Sequence, residues 1–237
     1  MKSPQTCNPD AFSLVELLVV IAVIAVMTSL ATPAFNAVRG AGSLAKAASD
    51  ISGTLQQARS YAMSQNTYVY VGLQEVDAIQ PTASDGTGRM VIVAVASKTG
   101  TRPANVASES VAISKAQPLD GAHMTDATAL VAASGMADRE SNLTDLSLPA
   151  SSSASQFKFN WPLGGTGTAK YSFSKVIEFD PQGVARLQTN PGGGSQVEHG
   201  IEIALCPARG NSAAATDANQ ASIQINGITG AVRIFRP

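Results

Sequence analysis

The chain has 237 residues, of which 44% are hydrophobic and 14% are charged, and its formal net charge is −1 at pH 7. This hydrophobic content is ordinary for a folded globular protein. The nearly balanced charge excludes the broad basic face by which many proteins bind nucleic acid or anionic lipid.

A short polar segment at the N-terminus is followed by a long apolar run. The 22 residues from 17 to 38 carry no formal charge, and as an α-helix they would span roughly 33 Å, enough to cross a bilayer. Glu16 stands at the edge of this run, although a carboxylate near a bilayer centre costs about 2.5–3.5 kcal/mol. One interpretation is a plain anchor with a glutamate at the membrane surface. Another comes from the residues around Glu16.

The segment Ala11-Phe12-Ser13-Leu14-Val15-Glu16 resembles the class III signal of type IV prepilins and pseudopilins. In that family a polar leader is cut before a phenylalanine, a glutamate follows four residues later, and a proline kinks the helix at the position of Pro33. Ala11 stands where the family usually has glycine. The resemblance implies a leader over 1–11, cleavage between Ala11 and Phe12 by a prepilin peptidase, N-methylation of Phe12 and an assembly role for Glu16.

Beyond Pro33 the apolar residues recur at helical spacing. Gaps of three and four residues separate the members of one stripe, which are Ala41, Leu44, Ala48, Ile51, Leu55, Ala58 and Ala62. The pattern predicts an amphipathic helix that ends near Gln65-Asn66. A coiled coil would also fit the spacing, but the many alanines favour close packing on a sheet. The resulting long helix covers 12–66, with a membrane-spanning part at about 14–36.

From residue 67 onward the period changes to two, which predicts a β-rich head over 67–237. The predicted strands are 67–71, 89–95, 110–116, 156–161, 174–179, 184–187, 201–205, 222–225 and 231–235. Asp180-Pro181-Gln182-Gly183 fits a type I turn within a hairpin. Residues 121–155 are predicted to form an irregular insertion, with a short helix near 126–133.

Three segments of the head, ARSYAMSQNTYVYVGL, FDPQGVARL and INGITGAVRIF, resemble minor pilins and minor pseudopilins of the FimT/GspH type. The resemblance implies an α+β pilin-like fold: a long N-terminal helix, with a membrane-spanning first half, packed on an antiparallel β-sheet head. It also implies a structural subunit of a type IV pilus or type II secretion pseudopilus. Such a protein is a single-pass inner-membrane protein with its head in the periplasm before it joins the filament. Its partners are prepilin peptidase, other pilins and membrane lipid.

A second function from another class is a membrane-anchored periplasmic binding protein, either an adhesin or a DNA receptor outside any filament. Arg233 and Arg236 on the last predicted strand are candidates for contact with DNA phosphates. The alternative for both is an ordinary solvated strand edge. Since the net charge is −1, nucleic acid is kept only as a minor candidate partner.

Catalytic motifs are not evident in the sequence. His123 and His199 lie in polar contexts and are expected to be exposed, and no G-x-S-x-G elbow occurs. The glycine-rich stretch 164–170 lacks the spacing of a phosphate loop, and metal ligands are not clustered. The sequence therefore predicts a protein that is not an enzyme and uses no cofactor or metal.

Overall fold

The computed structural model describes residues 13–79, 85–130, 136, 138–146, 158–164, 168–187, 197–213 and 219–236. Side chains are not described at 30–41 or at 129. The chain forms two compact units, residues 1–39 and residues 40–237.

Helix α1 spans Leu14–Gln65, and the short helix α2 spans Val106–Glu109. The strands are β1 (Val69–Asp77), β2 (Gly88–Ser97), β3 (Ser110–Ala112), β4 (Gln117–Asp120), β5 (Ala122–Thr125), β6 (Thr144–Asp145), β7 (Phe159–Trp161), β8 (Tyr171–Phe173), β9 (Lys175–Phe179), β10 (Ala185–Leu187), β11 (Gly200–Arg209), β12 (Ser212–Ala213), β13 (Ala221–Asn226) and β14 (Val232–Phe235). A 3-10 turn at Ala127–Ala129 follows β5.

In the first unit, every described side chain of α1 is exposed. Within the part of the chain that the structure describes, no helix is both long enough and apolar enough to cross a membrane. The predictions of a membrane span at about 14–36 and of a single-pass inner-membrane protein with a periplasmic head are therefore wrong.

The second unit contains two six-stranded sheets. In the first sheet the order is β10-β9-β1-β2-β3, and β4 also pairs with β2. In the second sheet the order is β12-β11-β13-β14, and β11 pairs in addition with β5 and β6. All these pairings are antiparallel except that of β6 with β11.

The predicted α+β class, with a membrane-spanning helix half, is also wrong, because the described residues form a mostly β-sheet fold. The sequence underestimated the strand content for two reasons. β4 and β5 are four residues each and show no long apolar alternation. β11 runs on to Arg209, well beyond the predicted 201–205.

One hydrophobic core contains residues from both sheets and from the second half of α1. Its helical members are at most 1% exposed and are Leu44, Ala47, Ala48, Ile51, Leu55, Ala58 and Ala62. They pack with the alternate side chains of β1 and β2 in the first sheet and of β11 and β13 in the second. Because four of the seven are alanines, little side-chain volume separates the helix from the strands it contacts.

The other face of the first sheet is covered as well. Tyr70 and the alternate valines of β2 form a second cluster with Val106 of α2 and the aromatic residues of the β7–β8 hairpin. Phe159 and Phe173 stack at 5.2 Å between ring centroids. The first sheet is therefore buried on both faces, which explains why β2 is a nearly continuous apolar run.

Part of the insertion 121–155 is regular. β5 forms an antiparallel pair with β11, and β6 forms a short parallel pair with the beginning of the same strand. The helix predicted near 126–133 appears only as the 3-10 turn, and residues 131–135 lie outside the described part. The paired residues lie 79–85 positions apart in sequence for β5 and 57 apart for β6, so no local pattern indicates either pairing.

Replacing Leu55 with alanine tests the shared core. Leu55 is fully buried, and removing a buried leucine side chain typically costs 2–5 kcal/mol because it leaves a cavity. We expect a loss of about 3 kcal/mol in the free energy of unfolding, measured by denaturant titration of the full chain. Gln57→Ala, at an exposed position on the same helix, should change it by less than about 0.5 kcal/mol. Equal effects of the two changes would contradict burial of this face of α1.

Candidate functional site

The predicted processing and assembly residues lie at the start of the chain. Ala11 and Phe12 fall outside the described residues. Glu16 lies in the first turn of α1 and is exposed. Pro33 lies within α1, where side chains are not described, so its kinking role stays a prediction.

Around Glu16, α1 presents a large exposed apolar surface. The large apolar side chains from residue 14 to 27 are between 47% and 80% exposed, and they are Leu14, Val15, Leu17, Leu18, Val19, Val20, Ile21, Val23, Ile24, Val26 and Met27. Thr28 and Ser29, which follow it, donate their hydroxyl hydrogen bonds to carbonyls of the preceding turn. We call residues 14–27 the apolar helix surface. A surface of this extent marks a site of interaction.

The three segments that carry the family resemblance meet at Arg59 of α1. The β9–β10 turn places Gly183, and the β13–β14 turn places Gly230, next to the Arg59 side chain. A Cβ atom at Gly230 would lie 2.2 Å from the carbonyl oxygen of Gly183 and 2.9 Å from Cδ of Arg59. Only glycine fits so close an approach. We call this contact of Arg59, Gly183 and Gly230 the glycine notch.

Backbone hydrogen bonds hold the two turns of the glycine notch together. The Ala185 amide donates to the Gly227 carbonyl at 2.8 Å, and the Gly227 amide donates to the His199 carbonyl at 3.1 Å. Asn226 stabilises its own turn, since its side-chain oxygen accepts from the amides of Ile228 and Thr229. The hairpins of the two sheets are thus connected directly, as well as through the core.

A cleft of about 280 Å³ lies beside the β13–β14 hairpin. Its charged lining residues are Asp138, Glu140 and Arg233. Apolar walls come from Leu143 and Phe235. Arg233 is therefore exposed at a mixed-charge cleft, and Arg236 is exposed just after β14. Contact of either arginine with DNA stays a prediction.

Buried polar side chains fix the insertion wall of this cleft. The side-chain amide of Gln224 donates to the Glu140 carbonyl at 2.9 Å and accepts from the Glu140 amide at 3.1 Å. Glu202, nearly buried, forms an ion pair with Arg139 at 2.9 Å and accepts from the Ser222 hydroxyl. Such bonds are needed because a buried carboxylate without partners is strongly unfavourable. They fasten residues 139–140 to the outer face of the second sheet.

Sequence reasoning missed a buried ionic cluster on the first sheet. Glu178 is fully buried and receives hydrogen bonds from two guanidinium nitrogens of Arg102 at 2.9 and 3.0 Å. The Arg102 guanidinium also stacks on Tyr68, at 5.1 Å from the ring centroid. Burial, together with the neighbouring Glu178 carboxylate, raises the pKa of Tyr70 well above its ordinary value. A charged residue in the middle of the apolar stretch Val176–Phe179 was the one available signal.

The prediction that His123 is exposed in a loop is also wrong. Instead of lying exposed in a loop, it is on β5, and its Nδ1 is 2.7 Å from a carboxylate oxygen of Glu75 on β1. Lys175 lies in the same cluster, and burial lowers its pKa against the attraction of Glu75 and two aspartates. His199, in contrast, has 71% of its side chain exposed, as predicted. Among the described residues, no three His, Cys, Asp or Glu side chains are grouped so that they could bind a metal ion.

No family model, curated protein or solved structure matches this chain. The resemblance to type IV prepilins therefore rests on the segments quoted above.

Replacing Gly230 with alanine tests the glycine notch, and Gly210→Ala is its matched control. Both glycines have a positive φ, +63° and +56°, but a Cβ at Gly210 would meet no atom within 4 Å. Both variants incur backbone strain of about 1–2 kcal/mol. We expect Gly230→Ala to reduce the free energy of unfolding by a further 1–3 kcal/mol or so, because of overpacking. Equal losses in thermal or denaturant unfolding would show that the two turns do not approach each other as described.

Proposed function

We propose that this protein is a structural subunit of a helical filament of the type IV pilus or type II secretion pseudopilus kind, processed by a prepilin peptidase. The observation that carries the proposal is the apolar helix surface, with eleven large apolar side chains at least 47% exposed. Such a surface is unfavourable in water and is stabilised by packing against similar helices of neighbouring subunits.

Glu16 supports an assembly role more specifically than the apolar residues do. It is the only acidic residue of the first turn of α1, and it stands next to a surface that has to become dry on packing. Cleavage before Phe12 would create a new amine one helical turn from Glu16. In a filament, the carboxylate would pair with the amine of an adjacent subunit, so that each charge offsets the desolvation of the other.

The glycine notch supports the minor-pilin branch of the proposal. The segment that runs from the end of α1 into β1 and the two hairpin segments are joined at Arg59 and by the bond from Ala185 to Gly227. A shared contact gives all three a common structural reason to occur in one chain.

Processing gives the first test of this proposal. Mass spectrometry of the protein from its native host should find an N-terminus at Phe12 carrying an added methyl group. Ala11→Arg, which replaces the small residue before the cut with a bulky charged one, should retain the leader and serve as the negative control. An intact Met1, or a cut after residue 27, would contradict the proposal.

Substitution of Glu16 gives the second test. Glu16→Gln keeps the size of the side chain but leaves the partner amine buried without its counter-charge, which typically costs about 3–5 kcal/mol. We expect co-purification with the other filament subunits to fall at least tenfold, while the cellular amount of the protein is unchanged. Glu16→Asp should fall between the variant and the wild type, because its side chain is shorter.

Asp50→Asn is the control for this test. It removes a carboxylate charge from the same helix, where Asp50 pairs with a Lys46 side chain that is 71% exposed and accepts a hydrogen bond from Gln117 that an asparagine oxygen can also accept. Co-purification of the Asp50 variant should be normal. Normal co-purification of Glu16→Gln would show that Glu16 does not take part in assembly.

A further inference from the structure

We propose that the cleft beside β13 and β14 and the edge of β14 form one binding site. Its ligand is an extended peptide segment of a partner protein, and this segment contains a basic side chain. The segment would add to the second sheet as a further strand next to β14, and its lysine or arginine would reach into the cleft. The proposal does not depend on the filament role.

β14 lies at the edge of the second sheet. Among the described residues, β14 pairs with β13 alone. The Asn226 amide donates to the Ala231 carbonyl at 2.9 Å, which marks these two as a hydrogen-bonded pair. Since bonded and non-bonded pairs alternate in an antiparallel ladder, Val232 and Ile234 direct their amide and carbonyl groups away from β13. A strand added there would meet unpaired backbone groups.

The side chains around this edge offer apolar surface on both faces of the sheet. Ile234 is 40% exposed, which is high for a large apolar residue of a strand. On the opposite face, Phe235 and Leu143 form apolar walls of the cleft. An incoming strand would cover Ile234 with one side chain, and the aliphatic stem of a long neighbouring side chain would lie against the cleft walls.

The charged side chains that line the cleft favour a basic group of the ligand. Asp138 and Glu140 contribute two carboxylates to the cleft lining and Arg233 one guanidinium, and His199 lies 3.9 Å from Glu140. Counted over Asp138, Glu140 and Arg233, the lining has one excess negative charge, which favours a cation over a phosphate or a carboxylate. The amide groups of Gln224 are already bonded to the Glu140 backbone, so the carboxylates are the acceptors left for a ligand.

Hydrogen bonds and an ion pair hold residues 139 and 140 of the cleft wall in place. The Glu140 backbone is held by Gln224, and the adjacent Arg139 is held by Glu202. The Glu140 side of the acidic wall is therefore held in place before a ligand binds, so that this part needs little further ordering. This is the reason why the cleft suits a defined side chain.

The test is titration of the purified full chain, followed by amide NMR, with two acetylated and amidated peptides. One is Thr-Val-Thr-Arg-Thr-Val, and the other has glutamate in place of the arginine. We expect the arginine peptide to bind at least tenfold more tightly and to shift the amide signals of Val232 and Ile234. Double replacement Asp138→Asn with Glu140→Gln should weaken the arginine peptide at least tenfold, whereas Asp120→Asn, on β4 in the other sheet, should not.

The contribution of the edge is isolated by a pair of variants at one position. Ile234→Ala removes the side chain but keeps the outward amide, and Ile234→Pro removes that amide as well. The proline variant should bind the arginine peptide at least fivefold more weakly than the alanine variant, at an unchanged melting temperature of the core. Equal binding of the two peptides, equal binding by the two variants, or an edge already occupied by a second copy of the chain in sedimentation would each overturn the proposal.

Discussion

The structure depends on one packing constraint, the insertion of the small-residue face of α1 into a core that two sheets share. Ala47, Ala48, Ala58 and Ala62 are at most 1% exposed. Larger side chains at these positions would force the helix away from the strands, and overpacking of this kind typically costs 1–3 kcal/mol. The positions of the sheets relative to the helix, and therefore of the hairpins that they carry, follow from this contact.

The glycine notch is a consequence of the same constraint. Once both sheets are fixed against α1, the β9–β10 and β13–β14 turns converge over Arg59, and the space between them is too small for a Cβ atom. On the outer face of the second sheet, where none of the described helices packs, buried Glu202 and Gln224 hold residues 139–140 in place instead. An apolar contact thus organises the inner face, and a polar one organises the wall of the cleft.

The sequence predicted what depends on local pattern. The helical stripe from Leu44 to Ala62, the end of α1 near Gln65, and the two hairpins at Gly183 and Gly230 follow from spacing and turn chemistry. It did not predict the pairing of β5 with β11, the Arg102–Glu178 pair, or the contact of His123 with Glu75. Each of these joins residues at least 48 positions apart in sequence, so neither periodicity nor turn residues carry a signal for it.

Native-state hydrogen exchange tests the shared core most directly. If α1 from Leu44 to Ala62, the first sheet and the second sheet form one cooperative unit, then the slowest amides of Leu55, Val93 and Ile223 should exchange with the same free energy of opening, equal to that of global unfolding. The Leu55→Ala change should lower all three values by the same amount. Slow exchange that persists in one sheet while the amides of α1 and the other sheet open at a clearly lower free energy would contradict a single core around α1.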